Sequence, residues 1–310
     1  MNKYFQKTIA RAVSCSGIGV HLGEKARLWI RPAGVDHGIQ FCRTDSLESS
    51  ARPIKACARK VSGSMLGTTL TNEHGDTVST VEHLMAACLG MGLDNLLIEI
   101  NGPEVPIMDG SAAVFCKLLQ SAGLVAQDKP RRLLRILKAV EVQDGEKWAR
   151  LSPAISDNTF SLRARIDFDN PVIGVQEASL RLTPGAFDRD IGFARTFGFY
   201  KDVDALQAMG FARGGSLENA IIIDGETVVN PEGLRSDDEF VRHKLLDAVG
   251  DLALAGGYIA GAYEADRPGH ALNNALLLKL LDTPEAWRWE TMSPPRSTPP
   301  AASTELHVSP

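Results

Sequence analysis

The segment Phe240-Val-Arg-His-Lys-Leu-Leu-Asp-Ala-Val-Gly-Asp-Leu-Ala-Leu254 constrains the chain more than any other. Its apolar residues wrap most of the way round a 3.6-residue period, so it reads as a largely buried helix. Yet His243, Asp247 and Asp251 recur at i, i+4 and i+8, stacked on one face. Burying two carboxylates without partners is costly. Either the stripe faces water on an amphipathic helix, or a positive charge sits against it, and a divalent metal is the simplest such charge.

The rest of the composition narrows the options. The chain has 310 residues, 44% hydrophobic and 23% charged, with a net charge of −5, which is ordinary globular composition. It has no Lys/Arg block, so nucleic acid is not expected as a partner. The N-terminal residues lack the apolar core of a signal peptide, and no run of 18 apolar residues predicts a membrane span. The five cysteines, Cys15, Cys42, Cys57, Cys88 and Cys116, include no C-x-x-C pair. Free thiols in a reducing compartment are expected, hence a cytoplasmic location. Metal ligation then falls to His, Asp and Glu.

Residues 3–79 are strand-like, with candidates at Ala26–Arg31, Gly38–Arg43 and Gly67–Thr71. Ser79-Thr-Val-Glu82 fits a capping box opening a helix to about Leu89. A strand follows at Asn95–Asn101, then a two-proline loop and a helix over Ser111–Ala122 closed by Gly123. Gln127–Pro130 reads as a boundary. After it come strands at Leu133–Val142, Lys147–Leu151, Phe160–Phe168 and Ala178–Leu182. Short helices are expected at Phe187–Ile191 and Asp202–Met209, and a hairpin at Ile221–Ile223 and Thr227–Val229. Beyond the central helix lie a strand at Tyr258–Tyr263 and a helix over about Leu272–Leu281. The Pro/Ser/Thr-rich stretch after residue 292 is expected to be disordered.

The two halves echo each other. Val81-x-His83 opens a helix followed by a strand, a glycine-containing loop and a helix carrying Lys117-Leu-Leu119. Val241-x-His243 opens the same series, ending in a helix with Lys279-Leu-Leu281. Two β-rich units, each with two helices on one face, would bury those helices against each other. His83 and His243 would then approach a shared interface.

A hydrolytic zinc site takes three protein ligands and keeps one position open. His243 and Asp247 can supply two from one helical turn, and His83 is the natural third. Glu82 stands next to that histidine, either acting on a water or serving as the capping-box carboxylate. His270, after Pro268-Gly269, is either a surface turn residue or a general acid, with Asp251 able to orient it. Lys244 is either a solvated helix lysine or a point charge for a phosphate. Gly214-Gly-Ser216, with Gly215 and Ser216 as candidate substrate contacts, is either a turn or a close approach to ligand. His21 reads as structural or peripheral. His37 and His74 read as solvated, and His307 lies in the tail.

Five ordered motifs carry a family resemblance. Ser79-Thr-Val-Glu-His-Leu84, Pro106-Ile-Met-Asp-Gly-Ser-Ala112, Ala194-Arg-Thr-Phe-Gly-Phe199, Phe240 to Asp251 and Gly269-His-Ala-Leu-Asn-Asn274 closely resemble the bacterial UDP-3-O-acyl-N-acetylglucosamine deacetylases. The resemblance runs over roughly residues 3–290. It implies a zinc amidase of lipid A biosynthesis that removes acetate from UDP-3-O-(3-hydroxyacyl)-N-acetylglucosamine. The implied fold is α+β: two similar domains, each a mainly antiparallel β-sheet with two helices, the helices sandwiched between the sheets. The expected domains are residues 1–127 and 128–290, with 291–310 as tail.

By motif, the resemblance makes His83, His243 and Asp247 the Zn2+ ligands. Glu82 becomes the general base, His270 the general acid and Asp251 its partner. Thr196 would bond the developing oxyanion, Lys244 the polar head of the substrate, and Phe197 and Phe199 sugar, uracil or acyl chain. Two positions depart from the family pattern. Ala212 and Arg213 bring an unexpected charge beside the expected acyl passage, which leaves acyl-chain length open. Gly67 stands where some members carry a cysteine near the metal, so no thiolate bridges there. A monomer without a membrane span, working near the inner membrane, is expected. The alternatives are a zinc deacetylase of another N-acyl nucleotide sugar and a non-catalytic nucleotide-sugar binding module.

Overall fold

A computed structural model describes residues 4–45, 48, 52–156, 158–183 and 185–292. The tail from residue 293 and His307 lie outside the described residues. Strands form where apolar residues alternate. Lys25–Pro32 buries Ala26, Leu28 and Ile30, and Phe160–Asp167 buries Phe160, Leu162, Ala164 and Ile166, each setting one face inward.

The first half builds a five-stranded sheet in the order Val13–Ile18, Lys25–Pro32, Leu96–Ile100, Ile39–Arg43, Ile54–Lys55. All its neighbours are antiparallel except Ile39–Arg43 with Leu96–Ile100. The second half builds a seven-stranded sheet around Tyr258–Asp266, which pairs antiparallel with Lys147–Ser152 and parallel with Arg132–Ile136 and Phe160–Asp167.

Among the described residues six α-helices are delimited: α1 (Glu82–Gly90), α2 (Ala113–Ala122), α3 (Ala186–Asp190), α4 (Val203–Ala208), α5 (Glu239–Leu252) and α6 (His270–Leu281). Helix α2 packs on Val13–Ile18, α5 on Phe160–Asp167 and Val175–Arg181, and α6 on Val140–Asp144 and Lys147–Ser152. Helix α1 is buried from Glu82 to Leu89 and packs along α5. Helices α1, α2, α5 and α6 thus fill the space between two sheets, and one apolar core runs through both halves.

Gly250 brings α1 and α5 together. A Cβ at this position would lie 2.0 Å from the carbonyl oxygen of Glu82, so only glycine lets α5 cross the start of α1 so closely. Glycine inside a helix costs about 1 kcal/mol relative to alanine. Here that cost is offset by a contact that sets His83 beside His243 and Asp247.

Three expectations change. Ser79 does not cap α1: the helix begins at Glu82, and the Ser79 hydroxyl donates to the Pro103 carbonyl at 3.1 Å. The Glu82 carboxylate turns into the interior and accepts the Thr68 N–H at 2.9 Å, so it has no share in a cap. The stretch read as a boundary at 127–130 belongs to strand Leu124–Pro130, which pairs with Phe5–Ile9. The single strand expected at Leu133–Val142 is two, Arg132–Ile136 and Val140–Asp144. The structure also adds a strand at Trp287–Thr291. No disulfide joins any of the five cysteines.

Candidate active site

A cavity of about 440 Å3 opens where the two halves meet. Glu82, His83, Thr196, Phe197, His243, Lys244, Asp247 and His270 line it, joined by Phe199, Ala212 and Gly215. His83 comes from α1, and His243 and Asp247 from adjacent turns of α5. All three are 2–4% exposed.

Asp247 Oδ1 is buried without a hydrogen-bond partner. It lies 3.4 Å from His243 Nε2 and 3.5 Å from His83 Nε2, too long for good hydrogen bonds. Ligand atoms about 2.0–2.1 Å from a tetrahedral centre stand roughly 3.4 Å apart. All three ligand atoms lie within 4.8 Å of one another and could hold a single divalent cation, which would supply the partner that Asp247 Oδ1 lacks. The other carboxylate oxygen accepts from Lys244 Nζ at 2.9 Å, which fixes the carboxylate's rotation.

Protonation matches that use. Burial drives His243 down to about 3, with His83 and Lys244 adding to the effect against Asp247, so its imidazole is neutral. Burial alone would raise the Asp247 carboxyl, but His243, Lys244 and His83 hold it well below the usual range. A neutral imidazole and an ionised carboxylate are the forms a metal binds.

The surroundings hold these groups in place. His243 Nδ1 sits 3.1 Å from the Ala194 carbonyl. Next along the chain, Arg195 is clamped through backbone and guanidinium to Glu239 at the start of α5, both side chains being buried. Thr196 is pinned from both flanks: its N–H donates to Gly110 and its carbonyl accepts from Ile221, each at 2.8 Å. Phe197 meets Phe240 edge-on at 5.0 Å and His243 at 6.2 Å, so one ring both packs and walls the cavity.

His270 opens α6, and its Nδ1 lies 2.9 Å from Asp251 Oδ2. Burial lowers its pKa, but the Asp251 carboxylate, with Glu82 and Asp247 beyond, overrides this and pushes it up to about 10. His270 is thus protonated at neutral pH. With Nδ1 engaged, Nε2 is the atom left for a ligand.

Other expected residues fall elsewhere. Ser216 does not line the cavity, and its N–H donates to Asn219 Oδ1 at 2.9 Å. The Arg213 side chain is exposed and also outside the lining. His21 lies on the cavity wall, its Nε2 3.1 Å from the Leu66 carbonyl, outside the ligand group. Gly67 packs closely against the Glu82 carboxylate, since a Cβ there would come 3.2 Å from Oε1. Among the residues that sequence reasoning missed are Thr68, Asn273 and Tyr263. They are uncharged or weakly titrating residues at ordinary spacing, and no local pattern marks them.

The model of the LpxC family, UDP-3-O-acyl N-acetylglycosamine deacetylase, matches residues 6–282. The chain belongs to this family. It is 50% identical over 288 residues to the UDP-3-O-acyl-N-acetylglucosamine deacetylase of Myxococcus xanthus, covering 92% of this chain and 89% of that protein. It is 48% identical to the protein of the same name from Phenylobacterium zucineum, covering 93% and 97%. For that of Actinobacillus succinogenes the figure is 44%, covering 95% of each. The deacetylase family match spans every element that lines the cavity, from Val20 to Leu272.

Proposed function

We propose that this chain hydrolyses the acetamide of UDP-3-O-(3-hydroxyacyl)-N-acetylglucosamine, releasing acetate and the free amine in lipid A biosynthesis. One observation carries the reading. The buried His83, His243 and Asp247 atoms converge in a cavity that also holds a carboxylate, Glu82, and a protonated histidine, His270.

We assign Zn2+ to the three ligands. A cation held there lowers the pKa of a water and polarises a carbonyl. Glu82, turned inward and held by the Thr68 N–H, takes a proton from the attacking water as its oxygen bonds the acetyl carbon. The Thr196 hydroxyl donates to the carbonyl oxygen as negative charge develops. His270 Nε2 gives its proton to the glucosamine nitrogen as the C–N bond breaks. Asp251 holds His270 by its Nδ1–H and stabilises the imidazolium. Lys244, Phe197, Phe199 and Gly215 face the same cavity and serve the sugar, nucleotide and acyl portions of the substrate.

Residues 1–127 and 128–290 are taken as two units meeting at the site. Among the described residues no helix is long and apolar enough to cross a membrane. We place the protein in the cytoplasm as a monomer that takes its substrate near the inner membrane.

The deciding assay compares acetate release from the 3-O-acyl substrate and from UDP-N-acetylglucosamine. Turnover of the acylated substrate with little from the other supports the reading. Equal turnover of both would point to a deacetylase of a different N-acyl sugar. Release from neither, by zinc-loaded protein, would point to a binding module.

A further inference from the structure

The two residues assigned to proton transfer stand on different halves of the chain, and one uncharged residue, Thr68, links Glu82 to Asp251, the partner of His270. Thr68 is 2% exposed. Its N–H donates to Glu82 Oε2 at 2.9 Å, and its hydroxyl donates to Asp251 Oδ1 at 2.6 Å. Its carbonyl accepts from Val81 N–H, just ahead of α1. No other described residue bonds both carboxylates.

The Asp251 carboxylate is fully engaged. Oδ1 takes the Thr68 hydroxyl, and Oδ2 takes His270 Nδ1 at 2.9 Å and Asn273 Nδ2 at 2.8 Å. Asn273 is itself oriented by the Tyr263 hydroxyl, which donates to its Oδ1 at 2.6 Å. An ionised carboxylate only accepts, so every donor around it has a fixed direction. Asn273 and His270 share one oxygen and leave rotation of the carboxylate to be stopped at the other. Thr68 supplies the donor there.

We propose that Thr68 is a positioning residue for the deacetylation reaction. Through Asp251 it sets the plane and reach of the His270 ring, and through its N–H it sets Glu82, so that acid and base are aligned across the seam between the halves. The role rests on the reading of His270 as acid. Loss of the hydroxyl would leave Asp251 Oδ1 a buried acceptor without a donor, and the carboxylate would turn to find one. His270 would turn with it. Misplacement by about 1 Å costs up to about a hundredfold in rate.

The hydroxyl arm can be removed alone, because the backbone N–H to Glu82 survives any side-chain change. Thr68→Val keeps the shape and loses the donor, whereas Thr68→Ser keeps the donor. With zinc content matched to wild type, kcat of Thr68→Val should fall at least about tenfold, with KM changed less than about twofold. Thr68→Ser should recover most of the loss. If the valine variant does not fold, Thr68→Ala replaces it. In a His270→Ala background, followed by single-turnover acetate release, removing the hydroxyl should cost no further rate, because the group it acts through is gone.

Wild-type kcat in Thr68→Val would overturn the proposal. So would a serine variant no better than the valine, or a loss undiminished in the His270→Ala background. A His270→Ala protein with wild-type kcat would overturn the reading of His270 itself. A crippled His270→Ala beside a normal Thr68→Val would overturn the role of Thr68 alone.

Discussion

Glu82 shows how one residue's position decides its role. Beside the first helical turn it could cap the helix or face a ligand. Burial at 3% exposure and the Thr68 N–H favour the second. As general base it should be worth about 10^2–10^4-fold in the chemical step. Glu82→Gln keeps the size and the ability to accept from Thr68. Its single-turnover acetate release should fall by that factor while metal content stays at the wild-type level. A near-normal rate would remove the residue from the mechanism.

His270 carries a second prediction, for the metal-free protein. Its folded pKa of about 10 lies above the unfolded value near 6.5, because Asp251 holds the charged form against burial. The stabilisation from this pair is complete below about pH 6.5 and is lost as pH rises towards about 10. Urea unfolding of the metal-free chain between those values should show wild type losing more stability than His270→Ala. Parallel curves for the two proteins would contradict the pairing.

At the scale of elements, the contact between α1 and α5 brings His83 beside His243 and Asp247. Gly250→Ala places a methyl group 2.0 Å from the Glu82 carbonyl, and backbone must shift to admit it. Overpacking of this kind costs about 1–3 kcal/mol. Because the shift separates His83 from His243 and Asp247, metal affinity should fall together with the thermal midpoint. Unchanged affinity in a destabilised protein would mean that the crossing does not set the ligand spacing.

Element order and type were largely legible. The alternation in Lys25–Pro32, the 3.6-residue period of α5 and the glycine after α2 are local signals, and each element formed where its signal lay. The capping box misled because Ser79 pairs with Pro103, a partner 24 residues away that no local pattern reveals. The strand at Leu124–Pro130 was missed for the same reason, since its pairing with Phe5–Ile9 is long-range. Gly250 did leave a trace: a glycine inside a buried helix is costly, and that cost marks a close approach.

At the scale of the whole molecule, the site lies on the seam between two halves that echo each other. His83 comes from one half, and His243, Asp247 and His270 from the other. The charged residues were legible because buried charge needs a reason and recurs at helical spacing. The Thr68–Asp251 and Asn273–Tyr263 links were not, because a hydroxyl or amide is tolerated in many settings and only the assembled fold shows its partner. The Arg195–Glu239 pair was hidden likewise, although it fixes the segment that carries Ala194 and Thr196 against α5.

Convergence of three ligands from the two halves on one cation, beside an acid and a base, is the central claim. Its most direct test is acetate release from UDP-3-O-acyl-N-acetylglucosamine by chelator-treated protein as zinc is added back. Activity should be lost on metal removal, rise in proportion to zinc and saturate at about one ion per chain, the number one closed three-residue group holds. Activity that survives removal of all metal, or stays absent from the protein once it holds one zinc, would contradict the account.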